Sequence, residues 1–296
     1  MALAAGLLLP GLGCFGAPAD DSGPRTAYFI GIDVSGSFAR GERYDDAVAF
    51  TARYIHAHMN GYGDLERPRA LFVGTIGGDS PAQTQGFHPI HDFQGKGVEE
   101  IEADLREWFR REDMLTDFNT FFERVSTLAK RRNLVLAPIN ILVLSDGIPD
   151  LGTVDLAGER PDDPYSIIDL DPLEYLARNV TVRLLYPDPD VAASWETRIE
   201  RSRVRLWTVD RVVMAGWRDQ LQAPGENVVA TAAATEEPAS TAGGGDDEDG
   251  GEPAGSDSPA VAGGSDAAAP TGPDYQPDLW HWIADNVDFR VRRGVL

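Results

Sequence analysis

The chain has 296 residues, with 26 Lys plus Arg against 48 Asp plus Glu and a formal net charge of −22. That balance excludes a nucleic-acid surface, which needs clustered Lys and Arg to meet phosphates. A single cysteine, Cys14, excludes an intramolecular disulfide and a zinc site built of several cysteines.

The chain opens on MALAAGLLLPGLGC, an apolar run too short to span a bilayer comfortably but suited to the apolar core of an export signal. Residues 1–19 are therefore read as a signal. Two processing routes stay open. Ala17-Pro18-Ala19 fits cleavage before Asp20, while Cys14 after Gly13 is similar to the lipidated cysteine of a bacterial lipoprotein signal, which would anchor the chain to a membrane. The lone cysteine at this place favours lipidation. Either route makes the protein an exported one of the cell envelope; retention of the segment would leave it cytoplasmic.

From Arg25 onward, short apolar runs alternate with amphipathic segments. The expected strands are Ala27–Asp33, Ala70–Ile76, Ile139–Ser145, Val180–Tyr186 and Val204–Val209, uninterrupted runs of the kind covered on both faces. Gly86–Phe93 is read as an antiparallel edge strand. Between them, Tyr44, Ala47, Val48, Thr51, Tyr54, Ile55 and Met59 recur at helical spacing. So do Val98, Ile101, Leu105, Trp108 and Phe109, and then Phe118, Phe121, Phe122, Val125 and Leu128. Asp171-Pro172 reads as an N-cap followed by a first-turn proline, and Arg211–Leu221 as a last helix on the core. His56 and His58 are read as surface or partly buried. The alternation predicts an α/β fold over 25–222, a Rossmann-like central, mostly parallel sheet with helices on both faces.

After Leu221 the composition changes. Ala223 to Asp278 carries about a dozen acids and no Lys or Arg. Rich in Ala, Gly, Pro and Ser, residues 223–276 cannot bury enough apolar surface to offset chain entropy and are expected to be disordered. Residues 277–296, with Leu279, Trp280, Trp282, Ile283, Val287 and Phe289, are too apolar for a solvated tail. They either pack back on the domain, the favoured reading, or dock a partner.

In an open α/β sheet the ligand site lies beyond the C-terminal ends of the strands. There the first strand supplies Asp33-Val34-Ser35-Gly36-Ser37 and the strand INILVLSDG supplies Asp146. Thr116 stands at the mouth of the FNTFFERV helix; Thr120, its rival, would lie one turn inside. Each residue alone fits a turn or a cap. Together they make an all-oxygen set of two carboxylates and three hydroxyls. Such a set suits Mg²⁺, Mn²⁺ or Ca²⁺ rather than zinc or copper. His88 and His91 have no matching third ligand, and the acidic loop 150–163 is read as solvated.

These motifs resemble those of a von Willebrand factor type A domain with its metal-ion-dependent adhesion site. The D-x-S-x-S motif matches at Asp33, Ser35 and Ser37, the family's loop threonine at Thr116 and its second aspartate at Asp146. The resemblance implies metal ligation by these five residues, usually of Mg²⁺. It also implies a non-enzymatic role in adhesion or assembly, the ion being completed by an exposed Asp or Glu of a partner protein. Two other readings stand beside it. One is a metal-dependent hydrolase, against which there is no accompanying general base, nucleophile or phosphate clamp. The other is a cytoplasmic partner of an ATPase, a role some type A domains take.

Overall fold

The computed structural model describes residues 23–77, 86–110, 115–149, 162–176, 179–221, 272 and 274–289. The expected signal (1–19) and nearly all of the expected disordered segment (223–276) lie outside them.

Six strands form one sheet: β1 (Ala27–Asp33), β2 (Ala70–Ile76), β3 (His88–Pro89), β4 (Ile139–Leu144), β5 (Val180–Leu185) and β6 (Arg205–Val209). Their order is β3-β2-β1-β4-β5-β6. All neighbouring pairs are parallel except β2 with β3; of the antiparallel edge strand expected over Gly86–Phe93 only His88–Pro89 pairs, and Ile90–Phe93 forms a 3-10 turn. The chain thus starts in the middle and winds outward to each side. Such a reversal of direction beside the first strand creates a crevice at the strand C-termini.

Strand periodicity then sorts the core into two layers. Tyr28, Ile30, Ile32, Leu142 and Leu144 point to one face. There they meet helices α1 (Gly36–Ala39), α2 (Glu42–Asn60), α3 (Val98–Trp108) and α7 (Arg211–Ala215). Phe29, Ile141, Val143, Val182 and Leu184 point to the other, covered by α4 (Phe118–Arg131), α5 (Asp171–Glu174) and α6 (Pro189–Arg198). A final helix, α8 (Pro277–Asn286), returns to the first face and buries Leu279, Trp280, Ile283 and Ala284 there.

Side-chain caps open two of the helices. Asp117 caps α4 by accepting the Thr120 amide, and Asp210 caps α7 by accepting the Val212 and Val213 amides. Three sequence readings need correction. Asp171 is the first residue of α5 rather than its cap; the Asp169 carboxylate accepts the Asp171 amide at 2.8 Å. The expected helix over Arg211–Leu221 breaks after Ala215 and resumes as a 3-10 turn at Arg218–Gln220. His58 is fully enclosed and His56 nearly so, because α2 is covered on several sides rather than one.

Candidate metal centre

Register places the site. Asp33 ends β1 opposite Ile76 of β2, and Ile32 lies opposite Leu144 of β4. Ser145 and Asp146 therefore emerge on one side of Asp33, and Gly77 on the other, one strand spacing of about 4.8 Å away on each side. Gly77 has a φ of +88°, and a Cβ there would lie 2.4 Å from the Leu115 carbonyl oxygen and 3.9 Å from the Thr116 Cα. Only glycine allows that approach, and it seats the Leu115-Thr116 backbone against the end of β2. The D-x-S-x-S turn, Thr116 and Asp146 thus reach one edge of the sheet from three separated parts of the chain.

Asp33 is fully buried and its carboxylate is gripped at both ends. Oδ1 accepts the Ser35 amide at 2.8 Å, and Oδ2 accepts the Ser145 hydroxyl at 2.6 Å. Ser145 in turn accepts the Gly147 amide at 3.0 Å. Burial pushes the Asp33 carboxyl up to about 6. The hydrogen bonds from Ser145 and Ser35 pull the other way, and the charge of Asp146 adds to the rise. Asp146 is buried as well, and its Oδ1 accepts the Ile148 amide at 3.1 Å.

The hydroxyls are less committed. Ser35 sits at the N-cap of α1, yet its side chain makes no capping bond. Its Oγ lies 3.2 Å from the Oγ of Ser37, which is exposed at the rim. Thr116 is only 1% exposed, and its Oγ1 has no hydrogen-bond partner among the described residues. A buried hydroxyl without a partner costs about 1–3 kcal/mol and calls for an explanation. Thr120 is different: exposed, it donates its hydroxyl to the capping Asp117 at 2.6 Å. Its oxygen serves the helix end.

Ser145 is the residue that sequence reading missed. In sequence it reads as the end of a strand, although its position next to Asp33 follows from pairing the two apolar runs in parallel. The remaining candidates have other employment. His88 stacks on Trp108 with ring centroids 3.8 Å apart and pairs with Asp92. Most of loop 150–163 lies outside the described residues; within it, Asp163 caps a 3-10 turn through the Tyr165 amide. No cluster of three or more His, Cys, Asp or Glu side chains suited to an ion occurs among the described residues. A cation here would rely on hydroxyl oxygens beside its two carboxylates, which is the donor set of Asp33, Ser35, Ser37, Thr116 and Asp146.

No family model matches this chain. No curated protein matches it either. Among solved structures, it is similar to proximal thread matrix protein 1 from the mussel byssus. One crystal form gives 13% identity and a TM-score of 0.36, over 65% of this chain and 45% of that one. A second structure, described as having a zinc-occupied MIDAS motif, gives 11% identity and a TM-score of 0.28, over 63% and 38%. The chain spans less than half the length of these structures. Its fold and its site stand on the sheet order, the register and the contacts given above.

Proposed function

We propose that the C-terminal edge of the sheet holds a divalent cation, Mg²⁺ in first place with Mn²⁺ or Ca²⁺ as substitutes, and uses it to bind an acidic side chain of a partner protein. In this reading the domain is a von Willebrand factor type A module that performs no covalent chemistry. Asp33 and Asp146 supply negative charge, and Ser35, Ser37 and Thr116 supply neutral oxygens. The observation that carries the reading is the buried Thr116 hydroxyl, without a hydrogen-bond partner among the described residues, whose backbone packs on Gly77 at the end of the strand paired with that of the enclosed Asp33. A hard cation satisfies both groups, and the exposed Ser37 marks the side open to a partner.

The same proposal places the protein at the cell envelope, exported and anchored through Cys14 or cleaved before Asp20. This part rests on residues 1–19 alone. The mass of the mature N-terminus checks it: a lipid adduct on Cys14 or a start at Asp20 supports export, and an intact Met1 opposes it. For binding, the full chain is screened against a displayed peptide library in Mg²⁺ and again in EDTA. Binders that require Mg²⁺ and share an Asp or Glu are expected. Binders that ignore EDTA, or that need no acidic residue, overturn the reading.

A further inference from the structure

A second carboxylate is buried at the opposite end of the strands, and it is delivered by the C-terminal segment. Residues 222–273 separate that segment from the body in sequence, with Val228, Val229 and Val261 as their only large apolar residues. Yet Leu279, Trp280, Ile283, Ala284 and Val287 are wholly buried against the body. Trp280 packs on Tyr62 with centroids 5.5 Å apart, and Trp282 meets Phe50 edge-on at 6.4 Å.

Asp288 follows this apolar face, and the groups around it all come from the body. Tyr54 Oη lies 3.0 Å from each of its oxygens and donates to them. His58 Nε2 lies 2.8 Å from Oδ2, and Asn140 Nδ2 donates to Oδ1 at 3.4 Å. The other nitrogen of His58 faces the Glu66 carbonyl at 2.8 Å. Both ring nitrogens therefore face acceptor oxygens. Arg183 is also fully buried; its guanidinium donates to Asn140 and adds its charge to the attraction on Asp288. Without Asp288, His58 and the buried Arg183 guanidinium would share one enclosed space in which the other nearby carboxylate, that of Glu66, is engaged by the Thr26 hydroxyl. Such a cavity demands an anion.

We propose that this end of the body is a recognition site for an acidic peptide, and that residues 274–289 are its tethered occupant. The site reads two features together: an apolar helix face carrying Trp280 and Ile283, and an aspartate just beyond the helix end. The tether holds the occupant at an effective concentration of about millimolar. The body's own segment therefore outcompetes a second copy of the chain in dilute solution. The proposal does not depend on the cation site.

The experiment keeps the body sequence intact. A protease recognition sequence is inserted between Gly263 and Gly264 of the full chain, which is then cut and gel-filtered at micromolar concentration. The expected results are a monomer before cutting, retention of the C-terminal piece afterwards, and its exchange with a fluorescent peptide of residues 272–296. A peptide carrying Asp288→Asn should compete at least about tenfold less well, because the cavity loses its counter-charge. Four results overturn the proposal. They are a dimer before cutting, loss of the piece on filtration, exchange only when the body unfolds, and equal competition by the peptide carrying Asp288→Asn.

Discussion

The two ends of the sheet treat a buried carboxylate in opposite ways. At the base, Asp288 is met by His58, Tyr54 and Asn140, and Arg183, which donates to Asn140, adds its charge. Burial pushes its carboxyl up, but the hydrogen bond and charge of His58, with Arg183 and Tyr54, outweigh burial and hold it below its ordinary 3.8. At the rim, Asp33 is met by hydrogen bonds from neutral donors, and no basic side chain among the described residues offsets its burial. Its carboxyl is raised to about 6. The base balances its charge with side chains of the same chain. The rim collects oxygen atoms instead, among them a buried threonine hydroxyl with no partner among the described residues. The base keeps unpartnered atoms too, Tyr28 Oη and two Arg183 nitrogens among the described residues, so the two ends differ in the charge that faces the carboxylate: cationic side chains at the base, neutral oxygens at the rim.

The comparison can be broken most forcefully at the base. Asp288→Ala removes the carboxylate that His58 contacts and whose charge faces Arg183. We expect a loss of about 3–5 kcal/mol, because a buried charge is left without its partner. Urea unfolding measures it, and a change under about 1 kcal/mol would mean that water already compensates these charges. At the rim, Gly77→Ala forces a side chain into a left-handed conformation and against the Leu115 carbonyl. It should cost about 1–3 kcal/mol and also weaken cation binding, since Thr116 moves with that backbone. Thr116→Val keeps the shape and removes the hydroxyl. We expect unchanged or slightly increased stability in EDTA and at least about tenfold weaker Mn²⁺ binding. If the substitution destabilises the cation-free protein instead, the hydroxyl is structural.

The subtlest distinction is in pH. Asp288, held below 3.8 in the folded chain, contributes stability that is present above pH 3.8 and is lost as pH falls through its folded value. Asp33, raised to about 6, contributes stability that is present below 3.8 and is lost as pH rises through 6. A cation-free Asp33→Asn variant should therefore lose the decline between pH 4 and 6 and keep the acid-side loss. In the wild type, cation affinity should fall about tenfold between pH 7 and 5, as protons compete for Asp33.

Much of the rim was legible because its signals are local. Ala27–Asp33 and Ala70–Ile76 stand out as uninterrupted apolar runs, and both have the bounds of β1 and β2. Once two such strands are parallel, the polar residues at their ends must be neighbours. Ser145 was within reach of the same logic but was absorbed into its strand. Helix α6 was also missed, although Asp188-Pro189 is the same kind of start signal as Asp171-Pro172. The base was illegible for a different reason. His58 and Asp288 are far apart in the chain, and nothing in the local pattern of α2 says that its histidine faces a carboxylate from the other end. Buried polar partners share no periodicity; only packing brings them together.

The central claim is that the rim takes a divalent cation through Asp33 and its neighbours. Calorimetric titration of Mg²⁺ and Mn²⁺ into the full chain, beside Asp33→Ala, tests it most directly. We predict saturable binding in the wild type and none in the variant, with the variant's far-UV circular dichroism unchanged. Equal binding in both proteins, or none in the wild type at millimolar cation, would contradict it.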